Sequence, residues 1–356
     1  MREFFTSSFL NRIMNKVIAI ISTDWHISEE NGDLIKELIR QKVSLAHQNE
    51  CKLLIGLGDI FESRKSQKEH VINTFTDILD YMEGEGLKFI CIPGNHDKVN
   101  YGSDRSYLTP FRTHPALTLI EGYRKIDLGG KFDSIFIPFF EETKWLEQLK
   151  KNESKIPQIL FSHQALTGSK NNNGSEVESI ITQNHLKSFK KVFLGHYHNK
   201  QQVGKNIHHL PSICQNNFGE DEEKGFTLLL EDGTHIFEKS LFPIYKNIEI
   251  DYADENFVEK ISQVKNFSKE GNLFLKVKIK GSNSECDSID TNELKKLGIK
   301  VDLRRDELEI SPDSFSPVSF DTDEAILECF NEFCEKENLN KDEGLIYLQK
   351  MLKNEK

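Results

Sequence analysis

Five short apolar runs within the first 200 residues each stop at side chains that bind metals or move protons. Residues 17–21 lead into Thr23-Asp24-Trp25-His26, 53–55 into Gly58-Asp59, and 89–92 into Gly94-Asn95-His96-Asp97. Residues 159–161 lead into Ser162-His163, and 192–194 into Gly195-His196-Tyr197-His198. A buried strand has no reason of its own to end in such groups. Between the first three runs, Leu34, Ile35, Leu38, Ile39, Val43 and Ala46, then Val71, Ile72, Phe75, Ile78, Leu79 and Met82, recur at helical spacing. Gly84 and Gly86 stop the second of these helices. Strand and helix in alternation predict an α/β fold with a largely parallel sheet covered by helices. Loops converge on a ligand at the carboxyl ends of such strands, so the five polar tips are expected to meet in space. Runs at 135–137 and 226–230 add strands without long helices between them all, which points to two layered sheets.

Taken singly, each tip has an ordinary explanation. An Asp after a strand forms turns or caps helices, and Asn and Gly tolerate left-handed backbone. The conjunction is what counts. Asp24, His26, Asp59, Asn95, His163, His196 and His198 supply carboxylates, imidazoles and an amide oxygen, and no thiolate. That donor set suits paired divalent cations rather than a structural zinc. Two ions about 3.5 to 4 Å apart need one bridging carboxylate and serve in-line hydrolysis of a phosphoester. The other histidines, His47, His70, His114, His185, His208, His209 and His235, read as packing or surface residues.

The net charge of −11 argues against a nucleic-acid coat, but −8 of it falls in residues 251–356, leaving −3 for the part that carries the tips. Bound cations would turn that site positive. No apolar run approaches the roughly 18 residues that span a bilayer. Six dispersed cysteines without a CxxC pair fit reduced thiols, so a cytoplasmic protein is expected. The opening stretch MREFFTSSFLNRIMN reads as a tail, with Met14 an alternative start.

These motifs resemble the calcineurin-like metallophosphoesterases, in which D-x-H, G-D, G-N-H-D/E, a lone H and G-H-x-H occur in this order. STDWHIS and GDIFESRKS are further similar to the SbcD or meiotic-recombination-eleven type nuclease subunit of double-strand-break repair complexes, and FGEDEEKGF to its phage members. The resemblance implies a two-sheet αββα sandwich holding two manganese ions, with magnesium or iron fitting the same donors. It implies one ion on Asp24, His26, Asp59 and His198, and the other on Asp59, Asn95, His163 and His196. It implies too that His96 protonates or stabilises the leaving group and that Asp97 orients His96. The chain departs from the relatives at two places. Ser63 occupies the arginine position of the phosphatase motif GDxxDRG, and Glu62 replaces the Asp or His common in the nucleases.

The expected division is 1–245 for the nuclease domain, 246–310 for a small α/β capping domain, 311–322 for a linker and 323–356 for a helical hairpin. Phe257, Ile261 and Val264 mark a capping helix. Leu273, Leu275, Val277 and Ile279 alternate with Lys276, Lys278 and Lys280, a strand with a basic face suited to DNA phosphates. The Ser- and Pro-rich stretch around 311–322 lacks periodicity. Beyond it, Ile326, Phe330, Phe333 and Cys334 form one stripe, and Leu345, Leu348, Met351 and Leu352 another, with Asn340 and Glu343 spaced as a capping box. Two short tethered helices need a surface to dock on. The resemblance makes that surface the coiled-coil root of an SbcC-type ATPase, and the chain itself has no GxxxxGK[ST] motif. It also implies a homodimer formed through residues 68–112. The expected activity is a manganese-dependent exonuclease and endonuclease on double-stranded DNA. The alternative is a stand-alone metallophosphoesterase for nucleotides or other small phosphoesters.

Overall fold

The computed structural model describes residues 15–152, 157–171, 174–268, 273–305 and 323–336, together with 341, 344, 345 and 348. Residues 1–304 form one body and 305–356 a second.

Two six-stranded sheets make up most of the first body. In one, β1 (Val17–Ser22), β2 (Leu53–Gly56), β3 (Lys88–Cys91) and β4 (Leu117–Leu119) are parallel neighbours. Helices α1 (Gly32–Gln48) and α2 (Glu69–Gly84) make the crossovers that parallel pairing requires. In the other, β6 (Asp133–Ile137), β7 (Gln158–His163), β8 (Lys191–Gly195) and β10 (Ile207–His209) are parallel. Three of their four edges are antiparallel: β5 (Arg124–Ile126) pairs with β6 and β9 (Gln201–Val203) with β10, while β11 (Gly225–Leu230) and β12 (His235–Lys239) extend the first sheet beyond β1. The links β5–β6, β9–β10 and β11–β12 are too short for a helix, so the parallel reading fails at those edges and holds at the centres and at the β4 edge.

Three apolar layers hold the sandwich together. Ile35, Leu38, Ile39 and Val43 of α1 and Val71, Phe75, Ile78 and Leu79 of α2 pack on the first sheet. Ala19, Ile21 and Ile55 meet Phe136, Phe161 and Phe193 between the sheets. Trp145, on helix α3 (Glu142–Leu149), joins Leu160, Val192 and Leu194 behind the second. Each such large side chain contributes about 1.5–3 kcal/mol. Ile72, counted in the α2 stripe, instead faces outward.

The register puts the functional tips level. Ser22 pairs with Gly56 and Gly56 with Cys91. His163 pairs with Gly195 in the facing sheet. The fully buried Lys42 donates to Ser22 Oγ and the Ile55 carbonyl just beneath the point where β1 and β2 part. Its buried ammonium is thereby itself hydrogen-bonded where the strands end.

A third sheet, β13 (Ile244–Asp251), β14 (Leu273–Gly281) and β15 (Lys300–Arg305), has β14 at its centre. Leu275, Val277 and Ile279 turn inward onto Val264 and Leu294. The other face of β14 is not the free basic stripe expected. Lys276 pairs with Asp302 at 3.3 Å and Lys278 with Glu249 at 2.9 Å, because flanking strands place carboxylates opposite the lysines.

The second body contains the helix Asp323–Lys336, which carries Ile326, Phe330, Phe333 and a buried Cys334. The linker 311–322, Asn340, Glu343, Met351 and Leu352 lie outside the described residues.

Candidate metal centre

Backbone strain marks the site first. Among the described non-glycine residues, positive φ occurs at Asp24 (53°), His26 (48°), Glu50 (51°), Asp59 (51°) and His196 (103°). Four of these five are sequence-picked ligands. Left-handed backbone costs a residue with a Cβ about 1–3 kcal/mol, so the fold must hold these tips against that cost. The β1–β2 ladder does so by continuing past the strands, with Asp24 N donating to Gly58 O at 3.0 Å and His26 N to Asp59 O at 3.0 Å. Glycines allow the tips to close. A Cβ at Gly94 would collide with the Asp59 carboxylate, and one at Gly195 with the Thr23 hydroxyl.

The seven predicted ligands come together as two adjoining groups. In the first, His26 Nε2 and His198 Nε2 lie 3.0 Å apart, each 3.9 Å from Asp24 Oδ1. In the second, His163 Nε2 and His196 Nδ1 lie 3.0 and 2.8 Å from Asn95 Oδ1. Asp59 Oδ2 is shared, 3.8 Å from His26 Nε2 and 3.3 Å from His163 Nε2.

The partners on the far side of each ring set the tautomers. His163 Nδ1 donates to the Leu57 carbonyl at 2.6 Å. His26 Nδ1 faces Glu62 Oε2 at 2.6 Å, and His198 Nδ1 faces Glu220 Oε1 at 2.7 Å. All three rings therefore turn Nε2 inward toward carboxylate and amide oxygens, a nitrogen that donates while protonated and offers its lone pair to a cation once the proton leaves. With those protons gone, acceptors crowded on acceptors need positive charge among them, and divalent cations fit that need.

The electrostatics agree. Burial opposes protonation of His26, but Glu62, Asp59 and Asp24 outweigh it and raise its pKa to about 9. Burial is likewise outweighed at His163, where Asp59 and Asp24 raise the pKa to about 9. Burial works against ionisation of Asp59, yet His163, His26 and His96 hold its pKa far below the usual carboxylate range. Burial and His163 lower His196 to about 3, which keeps that imidazole neutral and able to ligate.

His96 sits beside both groups, its ring 4.7 Å from that of His26 and its backbone N–H on Asp59 Oδ1 at 2.8 Å. Its Nδ1 donates to the Glu62 carbonyl at 2.6 Å, and its Nε2 accepts from Arg64 Nη2 at 2.7 Å. Asp97 does not orient it, contrary to expectation. The buried Asp97 carboxylate turns below the loop and accepts from the amides of Gly94 (2.8 Å), Phe61 (3.0 Å) and Ile60 (3.3 Å), tying the GDIF turn to the GNHD turn. Burial and Asp59 raise its pKa to about 6.

Three contributors escaped the sequence. Glu220 is fixed by Lys224 at 3.1 Å and Asn217 at 2.9 Å so that it can back His198. Its segment, FGEDEEKGF, had drawn notice, but nothing in the spacing singled out this acid. Glu62, read only as a departure, backs His26. Ser63 leaves the phosphatase arginine position without a cation, but Arg64 follows it and reaches His96. Lys276, Lys278 and Lys280 belong to the third sheet and are not among these ligands.

A two-layer α/β sandwich whose strand tips gather carboxylates, imidazoles and an amide oxygen defines a metal-dependent phosphoesterase. The calcineurin-like phosphoesterase family profile matches residues 18–200, and the chain belongs to that family. Its members bind divalent metals and hydrolyse phosphoesters. Over 226 residues the chain is 27% identical to a protein described as a phosphoesterase, 244L, of Invertebrate iridescent virus 6, covering 61% of this chain and 77% of that one. Over 182 residues it is 22% identical to exonuclease subunit 1 of Enterobacteria phage T4, covering 49% of this chain and 53% of the phage subunit. The match thus spans about half of that subunit's length. The crystal structure of Pseudomonas putida nuclease MPE aligns with 55% of this chain and 68% of that one, at 15% identity and a TM-score of 0.28, too slight a likeness to bear on function. No described helix is long and apolar enough to cross a membrane.

Proposed function

We propose that the chain is the nuclease subunit of an SbcCD-like complex, a manganese-dependent exonuclease and endonuclease that hydrolyses phosphodiester bonds of double-stranded DNA with two metals. The observation that carries this reading is the shared position of Asp59 Oδ2 between two ligand groups. Asp24, His26 and His198 would hold one ion, and Asn95, His163 and His196 the other, with Asp59 bridging. When bound, such a pair supplies the Lewis acidity that polarises a phosphoryl oxygen and lowers the pKa of water. The protein's own part is to aim the imidazoles with Nε2 inward, which the backing oxygens of Leu57, Glu62 and Glu220 accomplish. His96 serves the leaving oxygen through Nε2, which takes up a proton from solvent once the Arg64 guanidinium leaves it. Arg64, one hydrogen bond away, brings a guanidinium that matches a phosphodiester and holds the imidazole until substrate arrives.

The helices of residues 323–356 are assigned to an SbcC-type coiled-coil ATPase, and residues 68–112 to a homodimer contact. Support for the DNA reading comes from the likeness to the phage exonuclease subunit. The test is degradation of linear duplex DNA by the purified chain with manganese, with and without the ATPase. Manganese-stimulated cleavage that His96→Ala abolishes is expected. Rapid turnover of small phosphodiesters with no DNA cleavage, unaffected by deleting residues 323–356, would leave the stand-alone phosphoesterase instead.

A further inference from the structure

A second cluster of basic side chains lies away from the ligands, where β9 and β10 face β12. It borders a cavity of about 460 Å³ lined by Lys200, His208, His209, Thr227, His235 and Phe237, among others, and no Asp or Glu is among its described lining residues. Lys191 Nζ donates to His235 Nδ1 at 2.9 Å, which leaves the N–H of that ring on Nε2. The His208 and His235 rings stand 4.8 Å apart, and the Lys200 ammonium lies 4.4 Å from the centre of the Phe237 ring. Alternation along β12 directs His235 and Phe237 to one face, so the strand builds the cavity wall by period.

Asp232 acts on Lys191, but the exposed Lys200 meets no Asp or Glu among the described cavity lining, which leaves the cavity itself with a positive bias that suits an anion. The other charged clusters do not match this. At the exposed Asp80, Glu83 and His114 group, for example, His114 Nδ1 accepts from Ala116 N at 3.2 Å and Nε2 faces Asp80 at 3.0 Å, so the ring is already satisfied. Around the β9–β10 cavity, burial and the ammoniums of Lys191 and Lys200 lower His208 to about 4 and, with His208 adding to them, His235 to about 3. The rings are thus neutral donors beside two cations, a set that accepts an anion and repels a metal.

We propose that this cavity is an anion site that takes a phosphate group, separate from the metal centre. Lys200 follows His198 by two residues, a Cα separation of at most about 7 Å. The assignment of a phosphate held here to a nucleic-acid strand rests on the function proposed above. A free phosphate or mononucleotide shares the same chemistry.

Isothermal titration distinguishes the sources. The full-length protein, loaded with magnesium and again after chelation, is titrated with inorganic phosphate, thymidine monophosphate and a short nuclease-resistant phosphorothioate oligonucleotide. Phosphate binding that survives chelation and weakens about tenfold in both Lys200→Gln and His235→Gln is expected, with the melting temperature retained. Tighter binding of the oligonucleotide assigns the site to a strand, and equal binding assigns it to free phosphate; either supports an anion site. Loss of phosphate binding on chelation, or binding untouched by both substitutions, overturns it. The readout needs no turnover, so its failure and the failure of the nuclease assay are separate results.

Discussion

The two halves of the metal centre use the same residue types but are backed differently. In the half built from Asp24, His26 and His198, both imidazoles lean on carboxylates, Glu62 and Glu220. In the half built from Asn95, His163 and His196, His163 leans on a backbone carbonyl and the oxygen donor is a neutral amide. Exposure differs too: Glu62 is 54% exposed, whereas His163 is fully buried at 0%. One half is richer in negative charge and backed by an acid at the rim; the other is less charged, with His196 partly exposed as His198 is. Charge behind an imidazole strengthens its hold on a cation, so the halves should fill with unequal affinities that can be tuned one at a time.

The substitution with the largest expected effect erases the comparison. Asp59→Asn removes the carboxylate charge common to both halves, and steady-state assays should record a loss on the order of a thousandfold or more, equivalent to several kcal/mol of lost stabilisation. Next is His96→Gln, which removes none of the seven predicted ligands. Turnover should fall by about 10²–10⁴ while metal content, measured by mass spectrometry, stays that of the parent. A drop in metal content would make His96 a ligand rather than a proton donor.

Glu220→Gln and Glu62→Gln sharpen the contrast. Each should weaken one of two binding steps by about 10–100-fold in calorimetric titration and leave the other in place. Equal weakening of both steps would mean that the halves are not separately tunable.

Acidity offers a subtler probe. His26 and His163, each raised to about 9 in the metal-free protein, stabilise the fold fully below pH 6.5 and lose that contribution as pH rises through 9. The melting temperature of chelated protein should fall across that window. Metal binding displaces the same protons, so affinity should rise over it and the loaded protein should melt at a steadier temperature. The smallest effect belongs to the third sheet. Because Lys276 and Lys278 are already paired with Asp302 and Glu249, replacing either with Ala should change DNA affinity by less than about threefold.

What could be read from sequence was whatever depends on period and adjacency. The strand tips Asp24, Asp59, Asn95, His163 and His196 declared themselves because an apolar run ending in a ligand type is a local pattern. The helical faces of α1 and α2 followed from spacing, apart from Ile72. Glu220 could not be found this way, since it meets His198 through a fold-back of the chain across 22 residues. Asp97 misled for the same reason: adjacency to His96 in sequence says nothing about which way a buried carboxylate turns, and three loop amides claimed it. The lysines of β14 looked free because their carboxylate partners sit on other strands.

The central claim is that Asp59 stands between two cations. Diffraction from crystals soaked in manganese, with data collected near the manganese absorption edge, tests it directly. The account predicts two anomalous peaks about 3.5 to 4 Å apart, one in each ligand group, with the Asp59 carboxylate touching both. A single peak, or manganese found only at the exposed Asp80, Glu83 and His114 cluster, would contradict it.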